Sequence, residues 1–203
     1  MVRLHAVVLV PLLAAALWAQ QPASSARAAP KVKTLIPDPG SISQGVYRNS
    51  VFGFSYKLSF GWVDRTADMQ DDSPEASKSR LLLATFERPP EATGDTVNSA
   101  VVIAAEPLFA GMKTAADYFE SLAGLTIAKG FQTANEPQEL SLGTTKLVRG
   151  DFTKPRGTLT MHQTSLVLVQ KGYAVSFTFI GGSEDEVNEL IERLSFTVQK
   201  SGR

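Results

Sequence analysis

The stretch from Phe52 to Trp62 constrains the fold most. In steps of two it gives Phe52, Phe54, Tyr56, Leu58, Phe60 and Trp62 on one parity and Gly53, Ser55, Lys57, Ser59 and Gly61 on the other. Successive side chains of a strand point to opposite faces, so this is a ribbon with one aromatic face and one small or polar face. The aromatic face needs a covering layer. The natural candidate is the helix that starts at Thr114, an N-cap with Asp117 three residues on, and ends at Lys129 and Gly130, with a stripe of Ala115, Tyr118, Phe119, Leu122 and Leu125.

The remaining pattern is mostly extended. A short piece at Tyr47 to Asn49 marks the start of order near Val46, and strands are expected over Phe54 to Leu58, Leu81 to Glu87 and Val97 to Glu106. After a strand from about Phe131, interrupted by Pro137, come Lys146 to Thr153, Thr158 to Val169 and Tyr173 to Ile180. The connections Lys154-Pro-Arg-Gly157 and Gln170-Lys-Gly172 are too short for parallel crossovers, so these three strands form an antiparallel meander. A last helix opens at Ser183 with Glu186 three residues later and buries Val187, Leu190, Ile191 and Leu194. The sum is an α+β domain: an antiparallel sheet of about six to seven strands with two main helices packed on it.

The chain has 203 residues, enough for one well-filled core. Its start reads as an export signal over residues 1–28: Arg3 and His5, a 13-residue apolar run from Ala6 to Trp18, then small residues. Such a run is short for a membrane span, which needs about 20 residues. Residues 29–44 read as a flexible spacer, 45–198 as the domain and 199–203 as a tail. Loss of Arg3 and Arg27 leaves 18 basic against 20 acidic residues, a balance unsuited to nonspecific nucleic-acid binding. With no cysteine, the chain forms no disulfide even at an oxidising destination, periplasmic or extracellular.

Tyr47, Phe52-Gly-Phe-Ser55 and Gly61-Trp62, with the closing Leu190 to Phe196 stretch, resemble the superfamily that includes the photosystem II extrinsic PsbP subunit and its bacterial relatives. The resemblance spans about residues 45–198. It departs at Ser59, where the family usually has proline. It implies a PsbP-like α/β/α sandwich, and a role in binding or assembling protein complexes without shared catalytic residues.

No constellation in the sequence specifies a reaction. His162 is the one histidine outside the leader, and a lone mid-strand histidine without cysteines makes neither a His-rich metal site nor a triad. Gly111-Met-Lys-Thr114 lacks the glycines of a phosphate loop, and the acids Glu184 to Glu186 beside Gly181-Gly182-Ser183 would repel a phosphate. Asp68, Asp71, Asp72 and Glu75 lie in a polar loop from Asp64 to Arg80 without EF-hand spacing. Arg149-Gly-Asp151 spells an integrin tripeptide but falls within a strand.

The expectations are therefore no metal, no cofactor and no enzymatic activity. A partner or ligand surface is expected among Trp62, Asp71, Asp72, the basic turn residues Lys154 and Arg156, and the acidic helix residues Glu186 and Glu189. The leading reading is an exported binding or assembly module for a protein partner in the cell envelope, monomeric or weakly oligomeric. The alternative is a carrier of a small lipid or sugar with a pocket near Trp62. An enzyme using the loop carboxylates or His162 comes third.

Overall fold

The computed structural model describes residues 37–70, 79–92 and 94–197. Two antiparallel sheets divide the strands. The smaller has the order β1-β2-β3-β12, from β1 (Ser41–Ser43), β2 (Val46–Asn49), β3 (Phe54–Lys57) and β12 (Leu194–Phe196). The larger runs β4-β5-β6-β11-β10-β9-β7, from β4 (Val63–Asp64), β5 (Arg80–Phe86), β6 (Ala100–Pro107), β11 (Tyr173–Gly181), β10 (Leu159–Gln170), β9 (Thr145–Arg156) and β7 (Gln132–Thr133), with β8 (Gln138–Leu142) also paired to β9. The described residues also form two helices, α1 (Ala115–Ala128) and α2 (Glu184–Ile191).

The α+β class and antiparallel pairing agree with the sequence, but among the described residues twelve strands in two sheets replace a single sheet of six to seven. Order also begins earlier than Val46, because β1 pairs with β2 and the Tyr47 hydroxyl donates to the Pro39 carbonyl at 2.8 Å. The meander is present. Lys171 and Gly172 both take positive φ, 54° and 80°, in the two-residue β10–β11 loop, the backbone that a tight twisted hairpin requires. The β9–β10 loop is only Gly157-Thr158, so Lys154 and Arg156 lie within β9 rather than on a turn.

Parity assigns the two faces of the large sheet. Leu166, Leu168, Val175, Phe177 and Phe179 point into one core with Phe54 and Tyr56 of the small sheet, Phe52 of the β2–β3 turn, and Val187, Leu190 and Ile191 of α2. Phe54 meets Phe177 edge-on with centroids 5.0 Å apart, and Tyr56 lies 6.2 Å from Phe179. Val167, Ala174 and Phe152 point the other way, under Tyr118 and Phe119 of α1.

The aromatic ribbon is thus covered by the large sheet, while α1 covers the opposite face. Within α1, Leu125 is exposed and Thr126 takes the buried position, its hydroxyl donating to the Leu122 carbonyl at 2.9 Å. An α-helix advances 100° per residue, and Leu125 falls outside the arc that meets the sheet. Leu194 packs from β12 rather than from α2.

Both helix starts match their sequence signals. Thr114 accepts from the Asp117 amide and the Asp117 carboxylate accepts in return from the Thr114 amide, a complete capping box. Hydrogen bonds to its carboxylate from the Lys113 amide at 2.8 Å and the Thr114 amide at 2.9 Å hold the Asp117 carboxyl below its ordinary pKa. Ser183 caps α2, but the Glu186 carboxylate bonds elsewhere, as described below.

Candidate functional site

The ribbon stops being a strand at Lys57. Residues 58–62 carry the chain from the small sheet to β4 of the large one. On the way, the Trp62 amide donates to the Ser59 carbonyl at 3.4 Å, and Gly61 has φ +79°. A left-handed residue third in a four-residue turn suits glycine and pushes the second residue outward. That second residue is Phe60. Its side chain is fully exposed, whereas Trp62 is half-buried against the core.

Beside this turn lies the C-terminal half of α2, because the Lys57 amide donates to the Arg193 carbonyl at 3.0 Å. Between them opens a cleft of about 300 Å³, lined by Phe60 and Trp62 from the crossover, Glu87 from the end of β5, and Glu186, Glu189 and Arg193 from α2 and its exit. Two aromatic residues and four charged residues therefore border one concavity. The charged groups differ in how they are used. Glu186 accepts from the Gly182 amide at 2.8 Å with one oxygen and from the Ser99 hydroxyl with the other, so it clamps the β11–α2 corner onto β6. The side chains of Glu87, Glu189 and Arg193 form no hydrogen bond or ion pair among the described residues.

Of the residues singled out in the sequence, Trp62, Glu186 and Glu189 meet here. Lys154 and Arg156 do not. Lys154 lies on the α1 face of the large sheet, its ammonium donating to the Lys129 carbonyl at 2.7 Å and lying 5.5 Å from the Phe131 ring centre, where it caps the end of α1. Arg156 is exposed at the tip of β9. Asp71, Asp72 and Glu75 lie outside the described residues, and Asp68 is paired with Arg65 at 2.8 Å. Sequence reasoning missed Glu87 and Arg193. Neither has a local signal, since each reaches the cleft only through sheet pairing and the docking of α2.

The other motifs resolve into packing. Arg149 and Asp151 pair with each other at 3.0 Å on the α2 face of β9. Arg149 also donates to Asn188 at 3.0 Å, and Asp151 accepts from the Thr164 hydroxyl at 2.6 Å. The intervening Gly150 lies so close to the Phe119 ring that a Cβ would come within 2.0 Å of it. The tripeptide is fixed on both faces of its strand. His162 borders a small hollow of about 80 Å³ with Asp151 and Glu184, yet forms no hydrogen bond with either. No group of three metal-ligating side chains occurs among the described residues, and no described helix is long and apolar enough to cross a membrane.

A second cleft of about 330 Å³ opens where β12 and the Phe52-Gly53 turn face β9 and β10, lined by Phe52, Thr145, Lys146, Leu168 and Phe196. Its one charged group, Lys146, is already paired with Glu139 at 2.8 Å. Despite the larger volume it offers less for recognition than the Trp62 cleft, where three charges are unpaired beside an exposed ring.

No protein-family model matches the chain, and no curated protein sequence matches it. Solved structures are similar at the level of fold. The cyanobacterial PsbP of Synechocystis sp. PCC 6803 shares 13% identity at a TM-score of 0.50, over 78% of this chain and 96% of that one. LpqN of Mycobacterium tuberculosis, involved in cell envelope biogenesis, shares 15% identity at a TM-score of 0.41, over 79% and 87%. A Bacteroides thetaiotaomicron protein matches at a TM-score of 0.41 and 13% identity, over 74% of this chain; the chain spans 47% of that protein's length. The fold is PsbP-like.

Proposed function

We propose that this protein is a non-enzymatic, PsbP-like binding or assembly module. It is exported to the periplasm or cell exterior and engages a protein partner in the cell envelope through the cleft between residues 58–62 and α2. The single observation that carries this is Phe60: a fully exposed aromatic ring on a pinned turn, next to the half-buried Trp62 and to unpaired charges. Aromatic anchors at the centre of a contact carry a large share of binding energy, and a ring held on a glycine turn loses little entropy when it docks. Export is supported by the leader-like start of the sequence.

The test places a photo-crosslinking amino acid at position 60 and, separately, at position 125 in cells that make the protein. A discrete adduct from position 60, lost with Trp62→Ala and absent from position 125, is the expected result. Equal labelling from both positions, or none from position 60, overturns the reading.

The cleft volume also fits a small ligand, the one feature that favours a carrier. Native mass spectrometry of protein purified from its own cells separates the two: a carrier retains a bound small molecule of fixed mass, and the assembly module does not.

A further inference from the structure

We infer that the Trp62 cleft takes a cationic side chain, arginine or lysine, from the partner; this rests on the binding reading above and specifies its chemistry. The groups lining the cleft divide by role. Glu87, Glu186 and Glu189 carry three negative charges against the single positive charge of Arg193, so the concavity is net negative. Glu186 already accepts from Gly182 and Ser99, one bond on each oxygen, whereas the exposed carboxylates of Glu87 and Glu189 accept none among the described residues and are the freest acceptors.

An unpaired carboxylate in a cleft is best complemented by a donor that brings charge, and each such bond is about twice as strong as a neutral one. Phe60 and Trp62 border the same cleft, and a guanidinium or ammonium is attracted to the negative face of an aromatic ring. The aromatic and ionic features thus select the same chemical class, whereas an anionic group would meet two uncompensated carboxylates. Lys154 and Arg156 are carried on β9, and the Lys154 ammonium caps α1 on the opposite face of the large sheet, so the cleft's negative potential is not cancelled by it.

The experiment uses the full chain with Trp18→Phe, so that Trp62 is the only tryptophan. Acetylated, amidated tetra-arginine is titrated against its fluorescence, with tetraglutamine as the neutral control. Saturable quenching by tetra-arginine is expected, with tetraglutamine at least about tenfold weaker, and affinity falling severalfold between about 50 and 300 mM NaCl. The Glu87→Gln, Glu189→Gln double variant should weaken tetra-arginine at least about fivefold, and Phe60→Ser about threefold, both at unchanged melting temperature. Lys154→Ala should leave the affinity as it is.

Absence of quenching, equal binding of tetraglutamine, or an unaffected double variant each overturns the inference. The position-60 adduct tells the two proposals apart. If the adduct persists while tetra-arginine fails, the cleft binds a partner through other chemistry; if both fail, the binding reading falls as well.

Discussion

Adjacent residues of α2 belong to two charged clusters with opposite habits. Asn188 closes a network with Arg149, Asp151 and Thr164 in which every side chain has a partner and the ion pair is largely shielded from water. Glu189, one residue on and rotated by 100° about the helix, faces the Trp62 cleft with no partner among the described residues. Charge on α2 is therefore not one feature. On the Asn188 flank it stabilises the packing of helix on sheet. On the Glu189 flank it forms no hydrogen bond or ion pair among the described residues, beside the one phenylalanine that is fully exposed.

If that division is right, stability should respond steeply on one flank and hardly at all on the other. Asp151→Ala strands the Arg149 guanidinium in a poorly solvated place, and we expect a loss of about 3 kcal/mol in urea unfolding. Gly150→Ala drives a methyl group into the Phe119 ring and should cost about 2 kcal/mol by the same assay, with α1 displaced.

An alkaline titration reads the core behind the cleft. Burial pushes the Tyr47 hydroxyl up to about 12 and raises Tyr56 further. Because the folded state holds the neutral form, that stability is complete below about pH 10 and is lost as pH rises toward 12. Tyr47 alone should remove about 1 kcal/mol by pH 11, seen as a lowered melting temperature with tyrosine ionisation following unfolding.

The adjacent pair gives the smallest and most discriminating contrast. Asn188→Ala should cost about 1 kcal/mol, and Glu189→Gln should stay within about 0.5 kcal/mol of the parent. Equal costs at 188 and 189 would erase the distinction between the flanks.

What the sequence disclosed follows from how local each signal is. The Thr114 box, the Ser183 cap and the Lys171-Gly172 hairpin are written in neighbouring residues and appear where the chemistry of caps and turns places them. Phe54 and Tyr56 alternate as the ribbon pattern requires, but the same parity continues through Leu58, Phe60 and Trp62, where Gly61 turns the chain out of the sheet. Periodicity cannot register that break, because a glycine at a small-residue position of a strand looks identical to one in a left-handed turn.

The second sheet was hidden for a related reason. β3 is completed by β12 from the far end of the chain, with the Ser55 and Ser195 hydroxyls 2.9 Å apart, and three residues at Leu194–Phe196 look like the end of a helix until their partner strand is known. The cleft was half legible. Trp62 and Glu189 stood out by residue type, while Glu87 and Arg193 are ordinary surface charges that only the three-dimensional pairing brings together.

Carboxyl footprinting tests the division most directly. A water-soluble carbodiimide with glycine ethyl ester is applied to the purified protein and to intact cells that produce it, and labelling of Glu87 and Glu189 is compared with that of Asp151. Fast labelling of Glu87 and Glu189 in the purified protein, strong protection of both in cells, and slow labelling of Asp151 in either setting is the predicted result. Labelling of Glu87 and Glu189 at the same rate in cells as in isolation would contradict the assignment of the Trp62 cleft as an occupied binding site.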